Sequence, residues 1–290
     1  MLLQMRRFEP TRRNRNIGTG KSGLGQNNRM TIPEVAHGRN TFWERIDDAR
    51  EVTRVVANRT IKFYVQPTRA DCVHACTVDD IARLFLHVPS QDWEGMGAVL
   101  FRQPRRKEQT LASVWGRLAY AADLANKNGR VIYSGPALVL EAVNPIMPVK
   151  FGRALSVDSV DELDRLKSDG HKIRSDRDHT IQPTLMSCRA TQLYRTFLHE
   201  LGHWVDFLEK VERPFAASNG DLHNHLYPRL LSKFHSRPDR EKEHFAHAYA
   251  ERIREQLTAL QVIPFDRQLN RECLIEDGLQ LEDFSPSETS

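Results

Sequence analysis

A chain of 290 residues with 40% hydrophobic and 28% charged side chains has room for one sizeable core or two small ones and the composition of a soluble globular protein. No apolar run approaches the roughly eighteen residues of a transmembrane helix, and the first apolar run is too short for a secretory signal. With only four cysteines, which do not read as a disulfide framework, these features lead us to expect a cytoplasmic protein with no membrane partner.

The formal charge of +4 is unevenly placed. Residues 1–31 carry Arg6, Arg7, Arg12, Arg13, Arg15, Lys21 and Arg29 against Glu9 alone, and read as a disordered basic tail. Such an arm can hold nucleic acid through phosphate contacts. Gly18-Thr19-Gly20-Lys21-Ser22-Gly23 within it imitates a dinucleotide loop, but no strand precedes it. It fails as a phosphate loop too, because Arg15 stands where the first glycine belongs.

Residues 32–95 read as an N-terminal helical and mixed region. A charged amphipathic helix is expected from Asn40 to about Ala57, then a short strand at Ile61–Val65. Thr77 with Asp80 three residues on approximates a capping box and opens a helix through Leu86. Three segments rich in strand formers follow, Ala98–Arg102, Leu111–Tyr120 and Val131–Ala142, with a basic loop at Pro104–Lys107. We read them as a strand meander, although the middle one could be helical, and Gly135-Pro136 could split the third. A short helix is expected over Ser159–Lys167, a polar loop over Ser168–Pro183, a helix over Ala190–Leu208 and an irregular connection from Pro214 to His235. Ser236, Pro238 and Asp239 open a last long helix to about Gln261, and 266–290 reads as an acidic, solvated tail.

The chemistry centres on HELGH, residues 199–203, within the Ala190–Leu208 helix. Positions four apart share a helix face, so His199 and His203 can aim two imidazoles at one ion. Glu200 projects beside that ion, where it can take a proton from bound water. Zinc suits the set, because it accepts imidazole nitrogen and carboxylate oxygen and keeps a fourth position open for water. Gly202 is unfavourable in a helix interior and suggests a close backbone approach there.

A third protein ligand is needed. A histidine six residues past His203, one known solution, is absent, since Glu209 stands there. Among Asp221, Glu241, Glu243 and Glu251, periodicity selects Glu243, which shares the face of Ala246, Ala250 and Ile253. Asp206 could receive the far N–H of a ligating imidazole. Tyr227, His225, His235 and Tyr249 are candidate donors to an oxyanion, and the sequence does not rank them, though Tyr249 has the spacing of a core residue. Cys72, His74 and Cys76 form C-x-H-x-C without a matching distant pair, and read as buried small residues.

HELGHWVD followed some forty residues later by EHFAHAYA resembles the gluzincin group of zinc metallopeptidases. The form around Glu243 is similar to that in the anthrax lethal factor catalytic domain and in bacterial metallopeptidases that act on phage-type repressors. The resemblance covers about 190–260. It implies zinc on His199, His203 and Glu243, Glu200 as general base, a protein or peptide substrate, and an α+β zincin-like fold over 96–265. It further implies that the upstream strands offer an edge along which an extended peptide pairs. Two other readings stay open: a nucleic-acid-associated, antirestriction-like protein with structural zinc and a DNA-binding arm at Arg6–Arg15, and a silent peptide-binding module.

Overall fold

The computed structural model describes residues 41–111, 114–151, 155, 157–175, 178–218 and 225–286. The basic arm of 1–31 and its glycine-rich decoys lie outside them. Strands β1 (Phe42–Arg45) and β2 (Arg50–Val56) stand where the helix over 40–57 was expected, followed by β3 (Arg59–Val65). The reason is local. Val52, Thr53, Val55 and Val56 are β-branched, and β2 buries Val52 and Val56. It turns into β3 through Ala57 and Asn58, both at positive φ, the two-residue turn whose twist suits a hairpin.

Helix α1 (Val78–His87) opens on the expected box: Thr77 Oγ1 accepts from the Asp80 N–H and the Asp80 carboxylate accepts from the Thr77 N–H, both at 3.0 Å. Strand β4 (Ala98–Arg102) comes next, then a short helix α2 (Arg106–Leu111) overlapping the supposed basic loop. The long strands β5 (Gly116–Ala125) and β6 (Val131–Glu141) follow, and Gly135-Pro136 does not split the latter. After β7 (Val149–Phe151) and α3 (Val157–Ser168), β8 (Lys172–Ser175) and β9 (His179–Gln182) occupy the stretch read as a polar loop.

One helical rod then runs from Leu185 to Ala217 in three pieces, α4 (Leu185–Thr191), α5 (Phe197–Phe207) and α6 (Arg213–Ala217). Wide turns at Gln192–Thr196 and Leu208–Glu212 join them. Helix α7 (Leu226–His235) falls within the expected irregular connection. Helix α8 (Asp239–Ala259) starts after Pro238; the Ser236 hydroxyl donates back to the Lys233 carbonyl and does not cap it. Helix α9 (Arg271–Glu276) closes the series.

The fold is mixed α/β, with a six-stranded mixed sheet ordered β1-β5-β6-β4-β3-β2 and a small antiparallel sheet ordered β7-β9-β8. This replaces the meander: β4 runs parallel to both β3 and β6, and β5 lies beyond β6. All five β4 residues are buried, as a central strand covered on both faces requires. The sheet takes β1–β3 from before residue 95 and β4–β6 from after it.

On one face of the large sheet, Phe63, Phe101, Leu138 and Leu140 share a core with Phe85, Phe197 and Leu201. On the other, Tyr64, Leu100, Leu124 and Val139 form a smaller one. The C-terminal stretch is no solvated tail, because Leu274, Leu279 and Phe284 are buried in the main core. Among the described residues, no helix is long and apolar enough to cross a membrane.

A buried ion pair locks α1 to the rod. Arg189 Nη2 and Nε donate to the two Asp80 oxygens at 2.8 and 3.1 Å, and the Gln268 N–H donates to Asp80 at 2.9 Å. Removing the Asp80 carboxylate leaves the Arg189 charge buried and uncompensated, with only the Phe265 carbonyl and the Tyr194 hydroxyl beside it. Asp80→Ala should therefore lower unfolding stability by about 3–5 kcal/mol in chemical denaturation.

Candidate metal centre

Two glycines seat the helix that carries the histidines. At Gly116 on β5, a Cβ would fall 2.6 Å from the Val139 carbonyl oxygen and 2.9 Å from Thr196 Cγ2. At Gly202 on α5, it would fall 2.9 Å from both Cα and the carbonyl oxygen of Ala246 on α8. The sheet and α8 can therefore approach α5 only because neither position carries a side chain. Ala246 lies between Glu243 and His247, so this crossing brings both beside the HELGH face. The wide turn before α5 sets the phase of that face: the Phe197 N–H reaches back five residues to Gln192 O. Gln192 Nε2 anchors the turn to the sheet by donating to the Trp115 and Glu141 carbonyls at 2.9 and 2.6 Å.

The three predicted ligands converge. His199 Nε2 and His203 Nε2 lie 3.1 Å apart, and the Glu243 oxygens lie 3.3 Å from the first and 3.5 Å from the second. A tetrahedral ion with bonds of about 2.0–2.1 Å separates its ligands by about 3.3–3.4 Å, so this donor set fits one cation of that size. Among the described residues, His199, His203 and Glu243 are the group of such side chains with metal-binding spacing. The rings are mostly buried, whereas the Glu243 side chain is 52% exposed, so the cluster meets solvent on the Glu243 side. Hydrogen bonds from the two imidazoles hold the Glu243 carboxyl well below the usual carboxylate range. His199 Nδ1 is buried with no hydrogen-bond partner among the described residues.

Glu200 turns toward the sheet. One of its oxygens accepts the Leu118 N–H of β5 at 2.8 Å. Burial raises its ionisation, opposed by the charges of His199 and His203 and by the Leu118 hydrogen bond. Along Gly116–Ala121, β5 has no strand on the side away from β6 among the described residues, since β1 pairs only with 122–125. Beside the centre opens a cavity of about 470 Å³, with Trp115, Phe151, Leu166 and Ile181 as apolar wall and His199, Glu200 and His247 where it meets the centre.

Most of the other predicted residues have partners of their own. Asp206 is buried and its hydrogen bond comes from Arg237 Nη1 at 2.6 Å, so its partner is a guanidinium and not a ligating imidazole. The Tyr227 hydroxyl donates to Glu212 Oε1 at 2.7 Å. His225 is an exposed residue at positive φ that starts α7. His235 is exposed, its ring 6.3 Å from that of Tyr120. Tyr249 is core, its hydroxyl donating to the buried Asp92 at 2.9 Å. Of the rival third ligands, Glu241 faces Arg237, Glu251 is exposed and Asp221 lies outside the described residues. Cys72, His74 and Cys76 are buried, and His74 Nε2 bonds the Gln66 carbonyl.

Two neighbours of the centre were missed. The His247 ring lies 4.4 Å from that of His199, and burial, then the charges of His199 and Arg165, push its ionisation down to about 4. It follows Glu243 by four residues on one helix, so the rule that pairs His199 with His203 could have found it. Tyr120 is the second: its ring packs 5.1 Å from that of Phe207 on α5 and 6.3 Å from that of His235, and burial, then the charges of Asp206, Glu200 and Glu243, raise its ionisation. No sequence signal marks Tyr120, because its place depends on how β5 crosses α5. No protein-family model, curated protein or solved structure matches the chain.

Proposed function

We propose that the chain is a zinc-dependent metallopeptidase of zincin-like architecture, with His199, His203 and Glu243 as ligands and Glu200 as general base. The observation that carries this reading is the convergence of the three donor atoms with a carboxylate on the adjacent residue and a cavity at its side. A structural zinc site normally closes itself with four protein ligands, whereas this set has three among the described residues. Zinc bound here would supply a Lewis acid and lower the pKa of a water toward about 7.

The residues of the chain do the rest. Glu200, held by the Leu118 N–H, would take the proton of the attacking water and pass it to the leaving amine. Apart from the Leu118 N–H, which Glu200 takes, the β5 edge along Gly116–Ala121 would offer backbone donors and acceptors to an extended peptide. His247, whose ring packs on that of His199, and Tyr120, whose ring lies 6.3 Å from that of His235, join the earlier candidates as donors to an oxyanion.

The test is cleavage of a mixed peptide library by zinc-loaded protein, lost on chelation and restored by zinc. Because Glu200 must be ionised to act, the rate should fall as decreasing pH protonates it. A rate unchanged by chelator would contradict the proposal.

A further inference from the structure

The same cavity has a second chemical character, away from the centre. Its lining includes Arg165, Arg195 and Glu162 as well as its apolar wall. Arg195 is held by carboxylates at two of its nitrogens: Nε donates to Asp169 at 2.7 Å and Nη1 reaches both Glu162 oxygens at 3.0 and 2.9 Å, while Nη2 is buried with no hydrogen-bond partner among the described residues. Arg165 is paired more loosely. Its Nε shares a Glu162 oxygen at 3.1 Å, and its two terminal nitrogens have no hydrogen-bond partner among the described residues.

The charge count agrees. Asp169 also faces Arg254 at 3.8 Å, so three guanidinium groups share the carboxylates of Glu162 and Asp169. Glu200 and Glu243 serve the centre, whose cation would balance them. Arg165 lines this cavity together with His247, whose ring packs on His199. An incompletely paired guanidinium at the side of an apolar cavity is a receptor for a carboxylate, to which it can present two parallel N–H groups. The hydrocarbon wall of Trp115, Phe151, Leu166 and Ile181 favours a carboxylate carried on an organic body over a small hydrated anion.

We infer that this cavity is a substrate subsite for a carboxylate-bearing residue of the peptide, anchored by Arg165. The carboxylate comes either from an acidic side chain or from the peptide's own C-terminus. The inference rests on the hydrolase reading for the identity of the ligand as a peptide, and the two can fail separately.

The experiment measures peptide binding to the full chain carrying Glu200→Gln, loaded with zinc, by fluorescence anisotropy. One matched pair of peptides differs only in a free C-terminal carboxylate against a C-terminal amide. A second pair differs in an internal Glu against Gln. A charge-assisted pair in a partly enclosed site should favour the carboxylate member of one pair by about tenfold or more. Which pair shows the preference identifies the source. Adding Arg165→Gln should erase the preference, and Arg165→Glu should transfer it to a Lys-bearing peptide. Arg165 sits on a partly exposed helix surface, so both variants should keep the parent's circular dichroism and melting temperature.

Equal binding of both members in both pairs would overturn the subsite. So would a preference that survives Arg165→Gln. Peptide cleavage by the wild type that ignores charge, unchanged by Arg165→Gln, would sink the subsite and leave the hydrolase standing. A preference abolished by Arg165→Gln, in a protein that cleaves none of the peptides, would support the subsite and remove the hydrolase.

Discussion

Glu200→Gln should abolish peptide hydrolysis while leaving zinc bound at one ion per chain. The substitution keeps the length and shape of the side chain, and its amide oxygen can still accept the Leu118 N–H that holds Glu200 at 2.8 Å. It removes only the ability to take up a proton. General acid–base groups of this kind contribute about 10²–10⁴-fold to rate, so turnover should fall by at least that much. Metal analysis beside a single-turnover assay separates this from a folding defect. His199→Ala should lose zinc and activity together, since it removes a ligand. If Glu200→Gln cleaved at the wild-type rate, the base would have to be another residue and Glu200 would be only a brace against β5.

The second large effect is expected at Gly202, which touches neither metal nor substrate. A methyl group there would stand 2.9 Å from both Cα and the carbonyl oxygen of Ala246, contacts that backbone atoms cannot yield by rotation. Helices α5 and α8 would have to separate. Alanine gains about 1 kcal/mol of helix propensity over glycine, but overpacking of this sort costs about 1–3 kcal/mol. Gly202→Val, bulkier and β-branched, has no such gain to set against the clash and should destabilise the chain by about 3 kcal/mol. The informative readout is metal affinity. Glu243 lies three residues before Ala246 on α8, so separation carries its carboxylate away from His199 and His203. Zinc affinity in either variant should fall at least tenfold even where the fold survives. Unchanged affinity would mean that the helix crossing does not set the ligand geometry.

The sequence revealed the centre better than the scaffold, for a physical reason. His199, Glu200 and His203 are fixed by one turn of helix, and Glu243 follows from a single amphipathic stripe; both depend on local periodicity. The close approach suggested by Gly202 is the Ala246 contact. The sheet depends on pairing between distant segments. Nothing local says that β4 pairs with β3 and β6, or that β5 lies beyond β6. Charged residues on β2 disguised its alternation as an amphipathic helix, and Ala57-Asn58 is a poor advertisement for a hairpin. The acidic residues near the C-terminus hid Leu274, Leu279 and Phe284, whose burial only the core reveals. Asp206 had the spacing for an imidazole, yet Arg237, from the connection between α7 and α8, is its partner.

The most direct test is a crystal structure of zinc-loaded protein, with anomalous scattering recorded on both sides of the zinc edge. It should show one zinc per chain bonded to His199 Nε2, His203 Nε2 and a Glu243 oxygen at about 2.0–2.2 Å, its remaining position turned toward Glu200. No anomalous peak at that point, or a Glu243 carboxylate swung out into solvent with the two rings merely hydrogen-bonded to each other, would contradict the account.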